Sequence, residues 1–428
     1  MRISSVTMYE QSAASINRQQ AEFMKINEQM ASGRRVVNPS DDPQDASRAV
    51  GVDQSKAVTQ QYADARVSAR NSLSQTESIL NSVSDSVTSA KTLLIQASSD
   101  TLSDVDRESI ASDMKGIYET MLGQANATDG TGRYLFGGYA DDAPPFSKNA
   151  NGNVEYNGDS SAREQRIDAS REMPVTENGE SIFQSVPSSA GYVAETPRDD
   201  DNKPVNTGTV TFSGPQVTDV NADSHGDDFE IRFSESSGGD TKVTVVNLTD
   251  NSTPVDEEDY EGNQEGGQRL EFGGLSITLE GEPKLGGTND TKSEPDKITV
   301  AQAGSEEHPA NLFGTMEKAI AALDSPNEDK SDEAAFHNTM KTSMRDLDNA
   351  LDNALTVRAS AGARLNELDV VDGVGANRMQ NYDKTLSDLV DLDFVDAISE
   401  YSLRQVGMQA SQQAFANIKG SSLFDYLR

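Results

Sequence analysis

Two heptad seams, one towards each end of the chain, constrain the fold more than any other feature. The first runs from Leu73 to Ala97 with Thr76 as its only polar member, and the second runs from Met340 to Leu368 with Arg358 as its only polar member. Apolar residues spaced 3.5 apart on average bring helices together side by side. The seams therefore predict a long helical bundle whose halves come from the two ends of the chain.

The bundle core predicted from these seams comprises Leu73, Leu80, Val83, Val87, Leu94, Met344, Leu347, Leu351, Leu365 and Leu368. An unpaired carboxylate at Leu80 is expected to destabilise this core strongly, because a buried charge loses its hydration. Ser84 lies off the seam, and a carboxylate there is expected to be tolerated.

The helical zones extend beyond the seams. The first bundle helix is predicted over about residues 44–98, which at 1.5 Å per residue is about 80 Å long, and a shorter helix follows over about 105–126. Gly33 and Pro39 are expected to end an earlier amphipathic helix. Gly373 and Gly375 are expected to weaken the carboxy-terminal helix, so that a separate final helix begins near residue 376.

Between residues 140 and 306 the apolar period changes to two, which is typical of strands. Strands are predicted at residues 209–212, 229–233, 242–248, 275–279 and 297–300. The predicted fold is mainly α with an inserted antiparallel β domain. Its expected divisions are an assembly helix and loop (1–42), half of the bundle (43–139), an acidic β-rich domain of one or two subdomains (140–306), the other half of the bundle (307–375) and a final assembly helix (376–428).

Charge and residue types exclude several functions. The chain has 71 acidic and 36 basic residues and a net charge of -35, which repels nucleic acid phosphates and anionic lipids. It has no cysteine, and its three histidines, His225, His308 and His337, are far apart and are interpreted as surface residues. The acidic runs 199–201 and 256–259 lack the ligand spacing of a calcium loop. We therefore expect no catalytic, cofactor-binding or metal-binding residues and no enzyme activity.

The extreme termini carry apolar faces without an obvious partner in the chain. A short helix of this kind is marginal in water by itself, so we expect both ends to be largely disordered in the isolated chain and to fold against other subunits. The predicted interface residues are Ile16, Phe23, Ile26, Met30, Phe394, Ile398, Met408, Phe415 and Phe424.

Several segments resemble the flagellin-like axial proteins of the bacterial flagellum. The start of the chain and the turn after the first helix resemble the whole family, at residues 1–4, 30–35 and 38–43. Four further segments are more similar to proteins of the hook–filament junction than to flagellin, at residues 132–139, 362–368, 409–415 and 422–427. The resemblance covers both helical zones. In the acidic middle, only residues 274–281 and 296–300 resemble a β element of hook-associated proteins.

The resemblance implies a structural role. A protein of this kind would be secreted through the flagellar export channel with the help of an export chaperone and the export apparatus. It would then polymerise with itself outside the cell, between hook-associated protein 1 and flagellin, without a cofactor. Two alternatives stay open: flagellin itself, and an acidic secreted coiled-coil effector or adhesin.

Overall fold

The computed structural model describes residues 5–99, 101–150, 152–198, 204–264, 266–285, 295–325 and 329–420. Within them, the helices are α1 (Ser5–Ser32), α2 (Pro43–Ala97), α3 (Asp104–Ala125), α4 (Gly179–Phe183), α5 (Leu312–Asp324), α6 (Lys330–Val390) and α7 (Phe394–Gly420). No helix of this described part has the length and apolar character required to span a membrane.

The strands lie between α3 and α5. They are β1 (Phe146–Lys148), β2 (Val154–Tyr156), β3 (Glu164–Asp168), β4 (Arg171–Pro174), β5 (Tyr192–Glu195), β6 (Thr211–Val217), β7 (Phe229–Glu235), β8 (Thr241–Asn247), β9 (Val255–Asp259), β10 (Gln268–Phe272), β11 (Leu275–Glu280) and β12 (Lys297–Gln302). The predicted fold class, mainly α with an inserted antiparallel β domain, is confirmed.

The chain forms two compact units. The terminal unit comprises Met1–Arg66, Ile167–Ala169 and Asp369–Arg428, and the central unit comprises Val67–Arg166 and Ser170–Leu368. The long helices α2 and α6 contribute to both units. The bundle and the β domain belong to the central unit, and the paired termini belong to the terminal unit.

The bundle of the central unit is held by an apolar core and by ion pairs between α2 and α6. Glu77 pairs with Arg358 at 3.7 Å and Lys91 with Asp348 at 2.5 Å. The residue further along α2 pairs with the one earlier on α6, so the two helices are antiparallel. The residues of the predicted core are placed as follows: Leu73, Leu80, Val83, Val87, Leu94, Leu347 and Leu368 are buried, and Met344, Leu351 and Leu365 are half-buried.

Two features of the bundle differ from the sequence-based expectations. Ser84 is buried at 7% exposure and donates its hydroxyl to the Leu80 carbonyl oxygen at 2.8 Å, so we now expect a carboxylate there to destabilise the bundle. In addition, α5 packs on α3, where Tyr118 and Phe313 meet edge to face with ring centroids 5.9 Å apart. Its 13 residues carry no long heptad seam, which is why the sequence pattern did not single it out.

The first part of the inserted segment extends the bundle. Strand β1 pairs with β2, and β3 pairs with β4, as two antiparallel hairpins. Phe146, Val154 and Phe183 join the same apolar core as Leu80 and Phe313. The β1–β2 hairpin and α4 therefore share the bundle core, although the sequence pattern assigned them to the β-rich domain.

The rest of the insert is a β-sandwich with its own core. Its sheets have the strand orders β5-β12-β7-β8-β9 and β10-β11-β6. Phe229 of the first sheet and Phe272 of the second lie with ring centroids 5.0 Å apart in this shared core. The predicted strands correspond to β6, β7, β8, β11 and β12, although β6 begins at Thr211 and continues to Val217.

Buried polar contacts attach the β-sandwich to α6. The Asn338 side chain donates to the Val210 carbonyl oxygen at 2.8 Å and accepts from the Phe212 amide at 3.2 Å. The Thr342 hydroxyl donates to the Ala194 carbonyl oxygen at 2.7 Å. These bonds satisfy backbone groups that would otherwise be buried without a partner.

The prediction of surface histidines is wrong. His308 is buried at 5% exposure, between carboxylates of β5 and α6. His225 and His337 are half-buried. The partners of His308 come from distant parts of the chain, so local spacing gave no signal for them. The acidic run 256–259 is exposed in β9, whereas the run 199–201 lies outside the described residues.

Candidate assembly interface

The two ends of the chain meet in the terminal unit, where α1 packs along α7. Ile26 of α1 and Ala397 of α7 are buried. The rings of Phe23 and Tyr401 lie with centroids 5.0 Å apart. The two terminal helices therefore bury one apolar face of each within a single chain.

A charged group also ties α7 to α1. Arg404 forms ion pairs with Glu22 of α1 and with Glu400 one turn earlier on α7. Hydrogen bonding to Glu400 raises the pKa of Arg404. All three side chains are substantially exposed to solvent, so these pairs orient the helices more than they stabilise them.

The segments 33–42 and 391–393, called the joint here, connect the terminal helices to α2 and α6. Gly33 adopts a left-handed φ of +69°, which ends α1. The Leu392 amide donates to the Gly33 carbonyl oxygen at 3.0 Å, and the Arg35 amide donates to the Val390 carbonyl oxygen at 2.7 Å. Backbone bonds of this kind fix the paths of both chain ends at the joint.

Arg35 is the central side chain of the joint. It donates to the Leu389 carbonyl oxygen at 2.6 Å and pairs with Asp45 at 2.6 Å and Asp42 at 3.4 Å. Hydrogen bonding to Asp45 is the main cause that raises the pKa of Arg35. One guanidinium thus connects the start of α2 to the end of α6. This explains in physical terms why a Gly-Arg-Arg segment followed by Asp residues occurs here.

Two aspartates cap the helices that leave the joint. Asp42 accepts from the Asp45 amide at 3.1 Å at the start of α2, and this bond lowers the pKa of Asp42. Asp393 accepts from the Val395 amide at 2.9 Å at the start of α7. Such side chains satisfy amides that the first helical turn leaves unpaired.

The predicted helix break at Gly373 and Gly375 is wrong. Helix α6 continues through both glycines to Val390, and the final helix begins at Phe394 instead of residue 376. A glycine costs only about 1 kcal/mol relative to alanine inside a helix, which packing easily offsets. Arg66 also uses the space at Gly375, because a Cβ there would lie 2.6 Å from the Arg66 guanidinium.

Arg66 organises this part of the terminal unit. It is nearly fully buried, pairs with Asp372 on α6 and donates to the Ile167 carbonyl oxygen at 2.9 Å. Nearby, Arg378 pairs with Asp168 at 2.8 Å, and this bond lowers the pKa of the Asp168 carboxyl. Residues 167–169 are therefore held against α2 and α6 by two arginines.

We expect Gly373 and Gly375 to respond differently to replacement by alanine. Gly373 is exposed and a Cβ there meets nothing within 4 Å, so Gly373→Ala should raise the free energy of unfolding by about 0.5–1 kcal/mol. Gly375→Ala should give no such gain, because Arg66 must move from its bonds with Asp372 and Ile167. Urea unfolding of both variants measures the difference. A larger gain for Gly375→Ala than for Gly373→Ala would contradict this account of Arg66.

The predicted interface residues fall into three groups. Ile26 is buried within the chain and is the least able of them to contact another subunit. Two residues, Phe394 and Ile398, are half-exposed or more. The partly buried ones are Ile16, Phe23, Met30, Met408 and Phe415, and Phe424 lies outside the described residues. Ile16 and Phe415 line a shallow groove between α1 and α7.

Of a second apolar face of α7, the sequence pattern identified only Ile398. Val395, Ile398, Leu403 and Val406 are 53–75% exposed. At 3.6 residues per turn they span about 140° of the helix surface, opposite Ala397 and Arg404. We call these four residues the α7 arc. Two other predicted residues of α7, Met408 and Phe415, are partly buried, whereas the α7 arc lies on the exposed side of the helix.

The exposed apolar side chains of the α7 arc suit contact with another protein. Contiguous exposed apolar groups mark a surface that another protein covers. Among the described residues, no group of three or more histidine, aspartate or glutamate side chains is arranged to hold a metal ion.

Comparisons with known proteins define the class first. Residues 3–141 match the family model of the bacterial flagellin N-terminal helical region. The chain is therefore a flagellin-like protein in its amino-terminal zone, which includes α1, the joint, α2 and α3.

Longer relatives then define the family. The chain is 32% identical to flagellar hook-associated protein 3 of Escherichia coli K12, over 99% of both chains, and 31% identical to the same protein of Salmonella typhimurium, over 100% of both chains. The crystal structure of Xanthomonas campestris FlgL is 27% identical and has a TM-score of 0.64, covering 78% of this chain and 99% of that chain. The chain belongs to the flagellar hook-associated protein 3 family, and it is a structural subunit of the bacterial flagellum.

Proposed function

We propose that this chain polymerises through α1 and α7 to form the junction between hook and filament, with hook-associated protein 1 on one side and flagellin on the other. The observation that carries the proposal is the α7 arc, which no other described part of the chain covers. Burial of apolar surface is the main favourable term in protein association. The joint fixes the direction in which this surface points within the terminal unit.

Identical contacts repeated from subunit to subunit produce the required architecture. A head-to-tail interface that does not close on itself by rotation generates a helical assembly. Helix α7 has two apolar faces, as such an assembly requires. One face packs on α1 of the same subunit, and the α7 arc is available to a neighbouring subunit. A short zone of such subunits joins the hook to the filament and acts mechanically, without catalysis.

The route to this position follows from the same proposal. The subunit leaves the cell through the flagellar export channel, aided by an export chaperone and the export apparatus, and assembles outside. The chain contains no cysteine, so its folding after export needs no disulfide formation. Its net charge of -35 disfavours nucleic acids and anionic membranes as partners.

A strain that lacks the gene tests the function. We expect hooks without attached filaments and flagellin released into the medium, both reversed by a plasmid copy of the gene. Antibody labelling should mark a short zone at the base of the filament. Label along the whole filament would identify flagellin instead, and normal filaments in the deletion strain would favour a secreted effector or adhesin.

A further inference from the structure

Four charged side chains meet in the central unit where the β-sandwich joins the bundle. His308, in the segment between β12 and α5, lies with Nδ1 2.8 Å from Glu195 Oε2 of β5 and Nε2 2.9 Å from Asp346 Oδ1 of α6. Lys318 of α5 pairs with Glu195 at 2.5 Å. Two anions and two cations thus connect three elements and the segment that carries His308.

The geometry defines the protonation state of His308. A carboxylate oxygen only accepts hydrogen bonds, and a neutral imidazole donates from only one of its two nitrogens. Both ring nitrogens of His308 face carboxylate oxygens, so the arrangement is satisfied only by the doubly protonated, positively charged ring. The His308 side chain is 7% exposed, and both of its ring nitrogens are taken up by these carboxylates.

The electrostatic balance agrees with this geometry. Burial opposes the charge on His308, but hydrogen bonds to Asp346 and Glu195 outweigh it and raise the pKa of His308 to about 9. Burial likewise opposes ionisation of Glu195, but His308 and Lys318 lower the pKa of Glu195 to about 2. His308 and Glu195 are therefore both charged across the neutral range.

Other polar side chains lie close to this cluster. Arg198 Nε lies 4.0 Å from Glu195 Oε1, and the Thr315 hydroxyl donates to Asp346 Oδ2 at 3.3 Å. The exposed Glu307 precedes His308 in the chain. His308 itself contacts both Glu195 of β5 and Asp346 of α6, at 2.8 and 2.9 Å, and so joins the two elements directly.

We propose that protonated His308 is a pH-sensitive lock that holds the β5 edge of the sandwich on the bundle and opens in alkaline solution. Loss of its proton leaves one carboxylate facing a nitrogen lone pair without a donor. The opening is local, because Asn338 and Thr342 still attach the sandwich to α6. The segment 303–311 and the Glu195 end of β5 are the parts that loosen, since Thr342 still holds Ala194 of β5.

The direction of the pH effect follows from linkage. A histidine whose pKa is higher in the folded chain than the ordinary 6.5 stabilises the fold fully below pH 6.5. This contribution falls as the pH rises from 6.5 and is lost above about 9. Glu195 acts in the acidic range. Its contribution to the stability of the fold is lost as the pH falls from 4.5 towards 2.

Titration of the histidine ring signals by NMR in the full chain tests the charge directly. His225, His308 and His337 give three signals, which are assigned by single His→Gln variants. We expect His308 to keep its imidazolium shift at pH 8. A midpoint below pH 7 for His308 overturns the proposal, whatever the other two histidines do.

Two variants separate the lock from ordinary packing. Asp346→Asn should lower the His308 midpoint by about 1–3 pH units, because a nearby opposite charge shifts a pKa by that much. The matched control is Asp348→Asn, since Asp348 lies on the same helix and pairs with Lys91 instead. It should leave the midpoint unchanged. Equal shifts in the two variants contradict a specific bond between His308 and Asp346.

Hydrogen exchange measures whether the lock holds the edge. The Gly304 amide donates to the His308 carbonyl oxygen at 2.9 Å and the Ala303 amide to the Gly191 carbonyl oxygen at 3.1 Å. Protection of these amides should fall about tenfold or more from pH 7 to pH 9.5, and His308→Gln should show the low protection already at pH 7. Unchanged protection in His308→Gln at pH 7 overturns the lock.

Discussion

Leu80→Asp is expected to destabilise the central unit by about 3–5 kcal/mol, because it removes a buried side chain and places an unpaired carboxylate in an apolar core. Leu80 has 0% exposure and belongs to the same core as Phe313, Phe336 and Met340. It therefore lies where α2, α5 and α6 share one core. Thermal and urea unfolding followed by circular dichroism should show the loss.

The control for Leu80→Asp needs an exposed position on the same helix. Ser84 is unsuitable, since it is buried beside the bond that it donates to the Leu80 carbonyl oxygen. Ser82 is exposed, and Ser82→Asp should change the stability by no more than about 0.5 kcal/mol. Similar losses for Ser82→Asp and Leu80→Asp would show that α2 is not packed as the structure has it.

The long helices were predictable because their signal is local and repeated. In the seam from Leu73 to Ala97, apolar residues recur at helical spacing over many turns. The ends of α2 were therefore predicted within one residue of Pro43 and Ala97. Helix α6 was misjudged because glycine propensity is a weak local effect. Its continuity through Gly375 depends on Arg66, which lies far away in the sequence.

The sandwich was predictable only in part. Alternation identifies strands with one buried face, such as β7 and β8, where buried residues occur at every second position. Strand β9 is an edge strand whose last four residues are exposed acids, so it has no such alternation. Charged residues on an edge strand hinder pairing with other chains. The sequence signal for β9 is therefore charge, which is also typical of loops.

The candidate interface was predictable as a region but not as a surface. Apolar termini without a partner indicate assembly, yet the pattern cannot say which face the two ends use for each other. Ile26 proves to be buried, whereas Leu403 and Val406 are exposed. This distinction depends on the pairing of α1 with α7, a contact between the two ends of the chain.

Whether α1 and α7 are folded in the free subunit has not been tested and stays a prediction. We expect α1 and α7 to be weakly populated before assembly, because each is marginal alone and their mutual contact buries few large side chains. Folding on binding would then offset part of the association free energy and prevent premature polymerisation. Hydrogen exchange of residues 10–30 in the isolated chain measures this, and strong protection there would show prefolded termini.

Charges in the α7 arc should abolish assembly without affecting the fold of the subunit. We expect the double variant Leu403→Asp, Val406→Asp to keep the melting temperature of the isolated chain, since both side chains are already exposed. Its incorporation into flagella should be lost, because two unpaired carboxylates would be buried between subunits. Cells that carry it should release flagellin as the deletion strain does.

The matched control for this experiment is Val220→Asp in the β-sandwich. Val220 is 65% exposed and Val406 64% exposed, so the two substitutions make the same chemical change at equal exposure. Val220→Asp should assemble normally, since its site is far from α7 in the sequence and belongs to the central unit. Deletion of residues 406–428 should match the double variant, because it removes the end of the α7 arc. If the double variant assembles normally while the deletion does not, another face of α7 makes the contact between subunits.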